Sequence, residues 1–238
     1  MDLTKYRAQI AERTKAVEFP ISDEELYDRY EKVFTAAVND VMREDGLLNQ
    51  ALPYYIMPLD DNAVACGAAF TIKGCAGLDF DENREMEERA KMLDDIFPGS
   101  FVVWDTTGDT SCAHYGGMMA KASKLRGCRG AVVDGGIRDT TSIKQEGFPL
   151  YYRYRSSNAM LCRYRITDWQ CPIEIGGVRI YPRDIIMADA DGVIVIPRPI
   201  AYDVLLRAEA IRDKEVGVAD MIDSGMEPTE VVENGGYF

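Results

Sequence analysis

The adjacent residues Arg138 and Asp139 are the part of the sequence whose types point most directly to chemistry, and they follow Gly135 and Gly136. A guanidinium can bind a carboxylate through two parallel hydrogen bonds. The Asp139 carboxylate offers oxygen to Mg²⁺ or Mn²⁺, and Mg²⁺ often takes one or two protein carboxylates and completes its shell with water and substrate. This pair therefore predicts a site for an anion and a hard cation.

A second glycine-rich stretch precedes a helix that we predict over residues 117–125. Its members are Gly116, Gly117, Met118 and Met119. Free amides at a helix N-terminus favour an anion, and glycines let a ligand approach the main chain closely. A helix of about 10 residues spans about 15 Å, and a strand of about five residues returns about 16 Å. The predicted strand at 131–133 should therefore bring residues 135–139 beside residues 116–119.

A 2-keto acid suits these groups. Its carboxylate and keto oxygen can chelate one metal ion, while amides and a guanidinium neutralise the charge that develops on enolisation. The implied reaction breaks or protonates a bond next to the carbonyl. Simpler roles stay open at this point, because Asp139 ahead of Thr140 could cap a helix, the pair could be a surface ion pair, and the glycines could form turns.

Other polar residues offer weaker signals. His114, the single histidine, could act as an acid or base, although such a residue more often packs or faces solvent. One histidine cannot build a His-rich zinc or iron site. Cys112 has no evident basic partner and is interpreted as an inert thiol. The Arg- and Tyr-rich segment 151–165 is interpreted as part of an anionic-substrate pocket or a subunit interface.

Composition limits the class of protein. The 238 residues can bury one large core and carry a net charge of −13, which opposes general nucleic-acid binding. No apolar run approaches the roughly 20 residues that span a bilayer. Six cysteines without a Cys-x-x-Cys pair, and no signal peptide, predict reduced thiols in a cytoplasmic protein. We therefore expect no membrane and no nucleic-acid partner.

Periodicity predicts a mixed α/β domain with more than one sheet layer. We expect a single domain over residues 1–238, with N-terminal helices in 1–45, an α/β core in 46–198 and a C-terminal helix and tail in 199–238. Ser22 and Glu25 have the spacing of a capping box. The predicted helices cover 3–17, 22–43, 85–96, 117–125, 141–145 and a long amphipathic stretch after 200; the predicted strands cover 64–72, 101–104, 131–133 and two hairpins at 173–180 and 185–196.

The longest motif runs Arg-Gly-Cys-Arg-Gly-Ala-Val-Val-Asp-Gly-Gly-Ile-Arg-Asp over residues 126–139 and is followed by Gly-Phe-Pro-Leu at 147–150. It resembles the signature of the 4-hydroxy-4-methyl-2-oxoglutarate aldolase and RraA-like family. Further similarity lies at 35–40, 68–71, 176–178 with Pro182, and 189–193. The resemblance covers roughly residues 30–225.

This resemblance implies a layered β/β/α domain of the swivelling type, with extra N-terminal helices and a long C-terminal helix. It also implies assembly as homotrimers or homohexamers with sites between subunits. By position, residues 116–119 would supply backbone contacts to the pyruvyl group. Arg138 would stabilise the enolate and Asp139 would bind Mg²⁺ or Mn²⁺ directly. Glu215 would approach the metal's water shell from a neighbouring subunit's C-terminal helix.

One departure from the family pattern concerns the metal. The aldolases have an acidic residue 21 positions before the arginine, where this chain has Gly117. Asp109 is our candidate to replace it in the outer shell. The sequence favours a metal-dependent lyase that cleaves a 4-hydroxy-2-oxo acid to pyruvate, with oxaloacetate decarboxylation as a side reaction. The alternatives are a non-catalytic regulator of a ribonuclease or helicase, and a different lyase or hydrolase that uses the same pocket; Asp139 favours an enzyme.

Overall fold

The computed structural model describes residues 17–77 and 81–236, so most of the helix predicted at 3–17 lies outside the described residues. The described helices are α1 (Asp23–Tyr30), α2 (Thr35–Glu44), α3 (Glu82–Asp94), α4 (Gly117–Leu125), α5 (Thr140–Gln145), α6 (Ala201–Asp223) and α7 (Pro228–Glu233), with a short 3₁₀ turn at Arg198–Ile200. The described strands are β1 (Met57–Pro58), β2 (Ala65–Ala76), β3 (Ser100–Asp105), β4 (Ala113–Tyr115), β5 (Gly130–Ile137), β6 (Leu150–Arg155), β7 (Tyr164–Trp169), β8 (Ile173–Ile175), β9 (Val178–Ile180), β10 (Ile185–Asp189) and β11 (Gly192–Ile196).

Nine of the described strands form one mixed sheet in the order β1-β6-β5-β3-β2-β10-β11, with β4 beside β5 and β7 beside β2. Strands β2, β3, β5 and β6 run parallel to one another, whereas β1, β7 and β10 pair antiparallel with β6 or β2. Parallel pairs need crossover connections, and α3, α4 and α5 provide them along the chain. Strands β8 and β9 form a separate hairpin, as predicted from their central glycines.

Both faces of the sheet are covered, which explains why residues 101–104 of β3 and 131–133 of β5 are continuous apolar runs instead of alternating ones. In β3, Val102 and Trp104 pack in one cluster, whereas Phe101 and Val103 point to the other face. The β8-β9 hairpin lies in the second of these clusters. A third cluster joins α1, α2 and α6 to β10 and β11. Helices, main sheet and hairpin therefore form three layers.

The prediction of one continuous helix over residues 22–43 is wrong, because the structure has two helices there, α1 and α2, separated by residues 31–34. Ser22 caps α1 as predicted, with its Oγ accepting from the Glu25 amide at 3.1 Å. Helix α2 is capped from elsewhere: Thr35 donates through its amide and its hydroxyl to the two carboxylate oxygens of Asp189, each at 2.8 Å. Asp189, at the end of β10, thus helps to fix where α2 begins.

Four of the described strands and one helix were not predicted: β1, β4, β6, β7 and α7. Strand β2 also continues beyond its predicted end at Ile72 and pairs there with β7. In the same way β5 continues beyond its predicted end at Val133, through Gly135 and Gly136. Among the described residues, no helix is long and apolar enough to cross a membrane.

Candidate active site

A cavity of about 350 Å³ opens where β4 and β5 end and α4 begins. Helix α3 and residues 159–161 complete its wall. It contains both predicted site segments and several apolar side chains. The lining residues are Met86, Arg89, Leu93, Ala113, His114, Tyr115, Gly116, Met118, Met119, Arg138, Asp139, Ala159, Met160 and Leu161.

Strand pairing holds the two glycine-rich segments together. Strand β4 runs parallel to the end of β5, with Tyr115 opposite Ile137. The amide of Arg138 then donates to the carbonyl of Tyr115 at 3.0 Å. The chain leaves both strands at the same edge and enters α4 and α5 there. The adjacency that we derived from the lengths of a helix and a strand is therefore present.

The Asp139 carboxylate points to the start of α4. Its Oδ2 accepts a hydrogen bond from the Gly117 amide at 3.1 Å. Asp139 occupies the N-cap position of α5, yet its side chain makes no capping hydrogen bond there. Its backbone is left-handed, with φ of 57° and ψ of 32°, a conformation that costs an L-residue about 1–2 kcal/mol. The fold maintains this strain, as is common at functional sites.

Glycine at positions 116 and 117 allows this close approach. A Cβ at Gly116 would lie 3.0 Å from Asp139 Oδ2 and 3.2 Å from Arg138 Cγ. A Cβ at Gly117 would lie 3.2 Å from Asp139 Cβ. The Arg138 Nε lies 3.8 Å from Asp139 Oδ2, and both side chains are about half exposed, at 44% and 50%. The guanidinium and carboxylate thus face one solvent-filled space.

His114 is buried, in agreement with the packing interpretation and not with a solvent-facing one. Its Nδ1 accepts from the Gly136 amide at 3.2 Å, so its Nε2 carries the proton and donates to Asp109 Oδ2 at 3.0 Å. Burial lowers the pKa of His114, against the opposing charge of Asp109. A Cβ at Gly135 would lie 2.5 Å from His114 Nδ1, which explains the glycine inside β5.

Asp109, Cys112 and His114 bring one potential metal-ligand atom each to within 4.8 Å of one another. Their protonation states favour a hydrogen-bond network instead. Burial raises the pKa of the Cys112 thiol to about 11, and the His114 nitrogen that faces the group is the protonated one. Asp109 also accepts from Ser111 at 3.0 Å. Asp109 therefore holds His114 against β5 and is not among the residues that line the cavity.

Glu215 is not among the residues that line this cavity, whereas the Arg- and Tyr-rich segment lies partly beside it. Glu215 is on α6, which packs mainly against α1, α2 and α7, so it could reach such a cavity only from a second copy of the chain. Arg155 lines an adjoining cavity of about 410 Å³ that shares Arg138 and Asp139. Arg153 lies 3.7 Å from Asp134 and stacks on a tyrosine ring.

Arg89 is the charged lining residue that sequence reasoning missed. It lies in the highly charged helix α3, where a basic residue usually faces solvent. Nothing in the local pattern distinguishes it from Arg84, which is exposed on the same helix. Only the packing of α3 beside β7 and α4 shows which arginine faces the cavity.

Known proteins are similar to this chain in sequence and in fold. The family model described as RraA-like, Aldolase/RraA, matches residues 35–195. A putative 4-hydroxy-4-methyl-2-oxoglutarate aldolase of Halalkalibacterium halodurans is 34% identical over 181 residues, covering 76% of this chain and 80% of that protein.

Two solved structures extend the comparison. One, described as belonging to novel cellulases from microbes associated with the gut ecosystem, is 47% identical, with a TM-score of 0.85 over 91% of this chain and 96% of that chain. Streptomyces coelicolor RraAS2, described as an unusual member of the RNase ES inhibitor RraA family, is 25% identical, with a TM-score of 0.72 over 83% of this chain and 97% of that chain. The layered α/β fold expected from the resemblance is therefore confirmed. Since the family model spans well over half of the 238 residues, the chain belongs to the RraA-like (Aldolase/RraA) family.

Proposed function

We propose that the protein is a divalent-metal-dependent lyase that cleaves a 4-hydroxy-2-oxo acid to pyruvate and can decarboxylate oxaloacetate through the same enolate. One observation carries the proposal: the Asp139 carboxylate, held in a strained backbone conformation, faces the glycine-lined start of α4 beside the Arg138 guanidinium. Relatives named as 4-hydroxy-4-methyl-2-oxoglutarate aldolases support it.

The residues present fit a weakly held Mg²⁺ or Mn²⁺. The hydrogen bond from Gly117 involves Oδ2 of Asp139, so the half-exposed carboxylate keeps acceptor capacity for a cation. A single protein carboxylate is a common arrangement for Mg²⁺, whose other positions go to water and substrate. Such an ion would polarise the keto group of a chelating 2-keto acid. Because residue 117 is glycine, this site has one acid fewer than the aldolase pattern.

The protein's own groups bind the acid and neutralise its developing charge. Arg138 can hold the 2-keto acid through a charge-assisted pair of hydrogen bonds. Helix geometry leaves the amides of Met118 and Met119, in the first turn of α4, without an acceptor inside the helix, so they can donate to an anion. During cleavage the C4 hydroxyl loses its proton to water and C4 becomes the carbonyl carbon of the second product. The C3–C4 bond breaks, its electrons form the C2=C3 bond, and the former C=O pair moves to the 2-oxo oxygen. Protonation of C3 by water then gives pyruvate.

Glycoside hydrolysis does not fit this cavity. Most enzymes of that kind need two carboxyl groups that flank the scissile bond, one as an acid and one as a base or nucleophile. Among the described residues that line the cavity, Asp139 is the one carboxylate. The cavity therefore lacks the second carboxyl group that a cellulase mechanism would need, although one similar structure is described as belonging to novel cellulases. A keto-acid lyase, in contrast, uses both Arg138 and Asp139.

We also propose that the chain works in the cytoplasm as a homotrimer or homohexamer, with Glu215 reaching the site from a neighbouring subunit. Asp109 acts in this scheme through His114, because its carboxylate is committed to that ring. Light scattering should give a mass of three or six times 26.6 kDa. A strictly monomeric protein would contradict the role given to Glu215.

Pyruvate release from 4-hydroxy-4-methyl-2-oxoglutarate tests the function. We expect Mg²⁺-dependent release by the wild type and a loss of at least about 100-fold in kcat/KM for Asp139→Asn, equivalent to about 3 kcal/mol of transition-state stabilisation. Arg138→Lys keeps the charge but loses the two-pronged contact and should be impaired as well. Asp61→Asn, at an exposed loop residue, is the matched control. Absence of metal-dependent release from every 4-hydroxy-2-oxo acid tried would favour the regulator instead.

A further inference from the structure

The cavity that contains Arg138 and Asp139 has two kinds of wall. The polar wall holds this pair and the amides at the start of α4, which the proposed function assigns to the 2-keto acid group. The other wall is mostly apolar and comes from helix α3 and from residues 159–161. The proposed reaction gives this second wall no role, although any substituent that the substrate carries beyond its pyruvyl part must contact the rest of the cavity.

Four apolar side chains line the second wall: Met86 and Leu93 of α3, and Met160 and Leu161 of the segment before β7. Met86 and Leu93 are seven residues apart, which is about two helical turns, so they share one face of α3. Met160 is buried and belongs to a hydrophobic core cluster, and Leu93 packs against that cluster. The apolar wall is therefore continuous with the core of the domain.

Arg89 is the charged residue of α3 that lines the cavity. Its Nε is shielded from solvent, and its Nη1 lies 3.6 Å from the Met86 sulfur. Burial lowers the pKa of Arg89, whereas the negative charge of Glu85, one helical turn earlier, acts against that shift. Glu85 is itself buried. Arg89 therefore has a counter-charge on its own helix, and its long side chain adds methylene groups to the wall.

A second carboxylate on the substrate would find no free partner at this wall. Among the described lining residues, the cationic side chains are Arg138, which the 2-keto acid group occupies, and Arg89, which has Glu85 beside it. Asp139 would repel such a group. A carboxylate here would lose its hydration without compensation, whereas an alkyl group gains about fourfold in affinity for each buried methylene.

We propose that the apolar wall binds the C4 substituent of the substrate, and that the protein acts on 4-hydroxy-2-oxo acids with an alkyl or aryl group at C4 in place of a second acid. This inference rests on the proposed function and narrows its substrate class. Cleavage of such a substrate gives pyruvate and an apolar aldehyde. The cavity of about 350 Å³ is within the range of small-molecule sites, and the six non-hydrogen atoms of pyruvate fill only part of it.

A series of substrates that differ only in the C4 substituent provides the test. 4-Hydroxy-2-oxopentanoate carries a methyl group there, 4-hydroxy-2-oxoheptanoate a propyl group and 4-hydroxy-2-oxoadipate a carboxymethyl group. The kcat/KM for pyruvate release is measured with Mg²⁺ for the wild type, Met86→Gln and Met57→Gln. Glutamine has nearly the shape of methionine but is polar. Met57 is 52% exposed and Met86 51%, but Met57 is not among the lining residues, so its replacement is the matched control.

The wild type and Met57→Gln should cleave the propyl substrate at least about tenfold more efficiently than the methyl substrate, because two more methylenes are buried. They should prefer it to the carboxymethyl substrate by a similar factor. In Met86→Gln the propyl-to-methyl ratio should fall by about threefold or more. Leu93→Ala, the second variant, enlarges the cavity and should move the preference to an alkyl group longer than propyl. Each ratio compares substrates on one protein, so a general loss of stability does not change it.

A wild type that cleaves the carboxymethyl substrate best, or that does not distinguish methyl from propyl, would overturn the apolar subsite and leave the proposed function standing. Unchanged preferences in both Met86→Gln and Leu93→Ala, or an equal change in Met57→Gln, would also overturn it. If the wild type releases pyruvate from none of the three substrates or from 4-hydroxy-4-methyl-2-oxoglutarate, the proposed function itself is wrong and the subsite fails with it.

Discussion

Restoring the acidic residue that the family pattern has at position 117 should make the protein less stable without metal and more responsive to Mg²⁺. A Cβ at Gly117 would lie 3.6 Å from Asp139 Oδ2, so the carboxylate of Gly117→Asp would lie near that of Asp139. The same Cβ would lie 3.2 Å from Asp139 Cβ, a tight contact that both side chains must relax. Gly117→Ala introduces this contact without the charge and is the matched control.

The charge effect can be sized from this geometry. Two like charges about 4 Å apart repel by about 1 kcal/mol in water and by about 4 kcal/mol near a protein surface. Because the Asp139 side chain is 50% exposed, the lower end applies, at about 1–2 kcal/mol. An acid in the first turn of α4 recovers about 0.3–1 kcal/mol. Without metal, Gly117→Asp should therefore melt about 2–4 °C below Gly117→Ala.

Mg²⁺ should reverse that order. A tenfold gain in affinity adds about 1.4 kcal/mol at saturating Mg²⁺, or about 3–6 °C for a domain of this size. Thermal melts of both variants across a Mg²⁺ titration give the comparison, with KCl at matched ionic strength as the salt control. If both variants show the same Mg²⁺-dependent shift, residue 117 does not face the cation, and the geometry assigned to Asp139 and its metal is refuted.

Two further predictions concern the sheet that supports the site. Burial raises the pKa of Asp134 to about 6, so the folded state binds its proton more tightly than the unfolded state. Wild-type stability should therefore fall as pH rises from about 4 to 6, by up to about 3 kcal/mol, and Asp134→Asn should remove that loss. If the melting temperatures of the variant and the wild type change equally between pH 4.5 and pH 7.5, the prediction is contradicted. Gly136→Ala would put a Cβ 2.5 Å from the Cys112 carbonyl and should destabilise by about 2–3 kcal/mol in urea unfolding. Gly217→Ala, with open space in α6, should instead gain up to about 1 kcal/mol, and equal effects of the two changes would refute the packing argument.

The sequence predicted those helices and strands whose start and end are set by their own residues. The bounds of α4 at Gly117–Leu125 agree with the prediction, and so do the hairpins with central glycines or Asp-Gly. The break between α1 and α2 could not be predicted, because its cap comes from Asp189, more than 150 residues away. Strand β6 was missed because its arginines and tyrosines gave no apolar alternation, although Leu150 and Tyr151 at its start are buried and pair with β5.

For the site as well, some features could be predicted from local sequence and others depend on tertiary packing. Helix and strand lengths were enough to place residues 116–119 beside residues 135–139. The left-handed backbone of Asp139, which turns its carboxylate to Gly117 and away from the cap of α5, follows from the pairing of β4 with β5 and has no local signal. Arg89 likewise enters the cavity only because α3 packs beside α4. Tertiary packing therefore decides which charged residues of the helices become site residues.

The incorporation of deuterium into the methyl group of pyruvate tests the central claim most directly, because it requires enolisation and nothing else. With Mg²⁺, the wild-type protein should exchange the methyl protons in D₂O, and exchange should fall to the uncatalysed rate after chelation of the metal or in Asp139→Asn, while Asp61→Asn behaves as the wild type. Exchange by the wild type that persists without the metal and in Asp139→Asn would contradict a metal-assisted keto-acid site at Arg138 and Asp139.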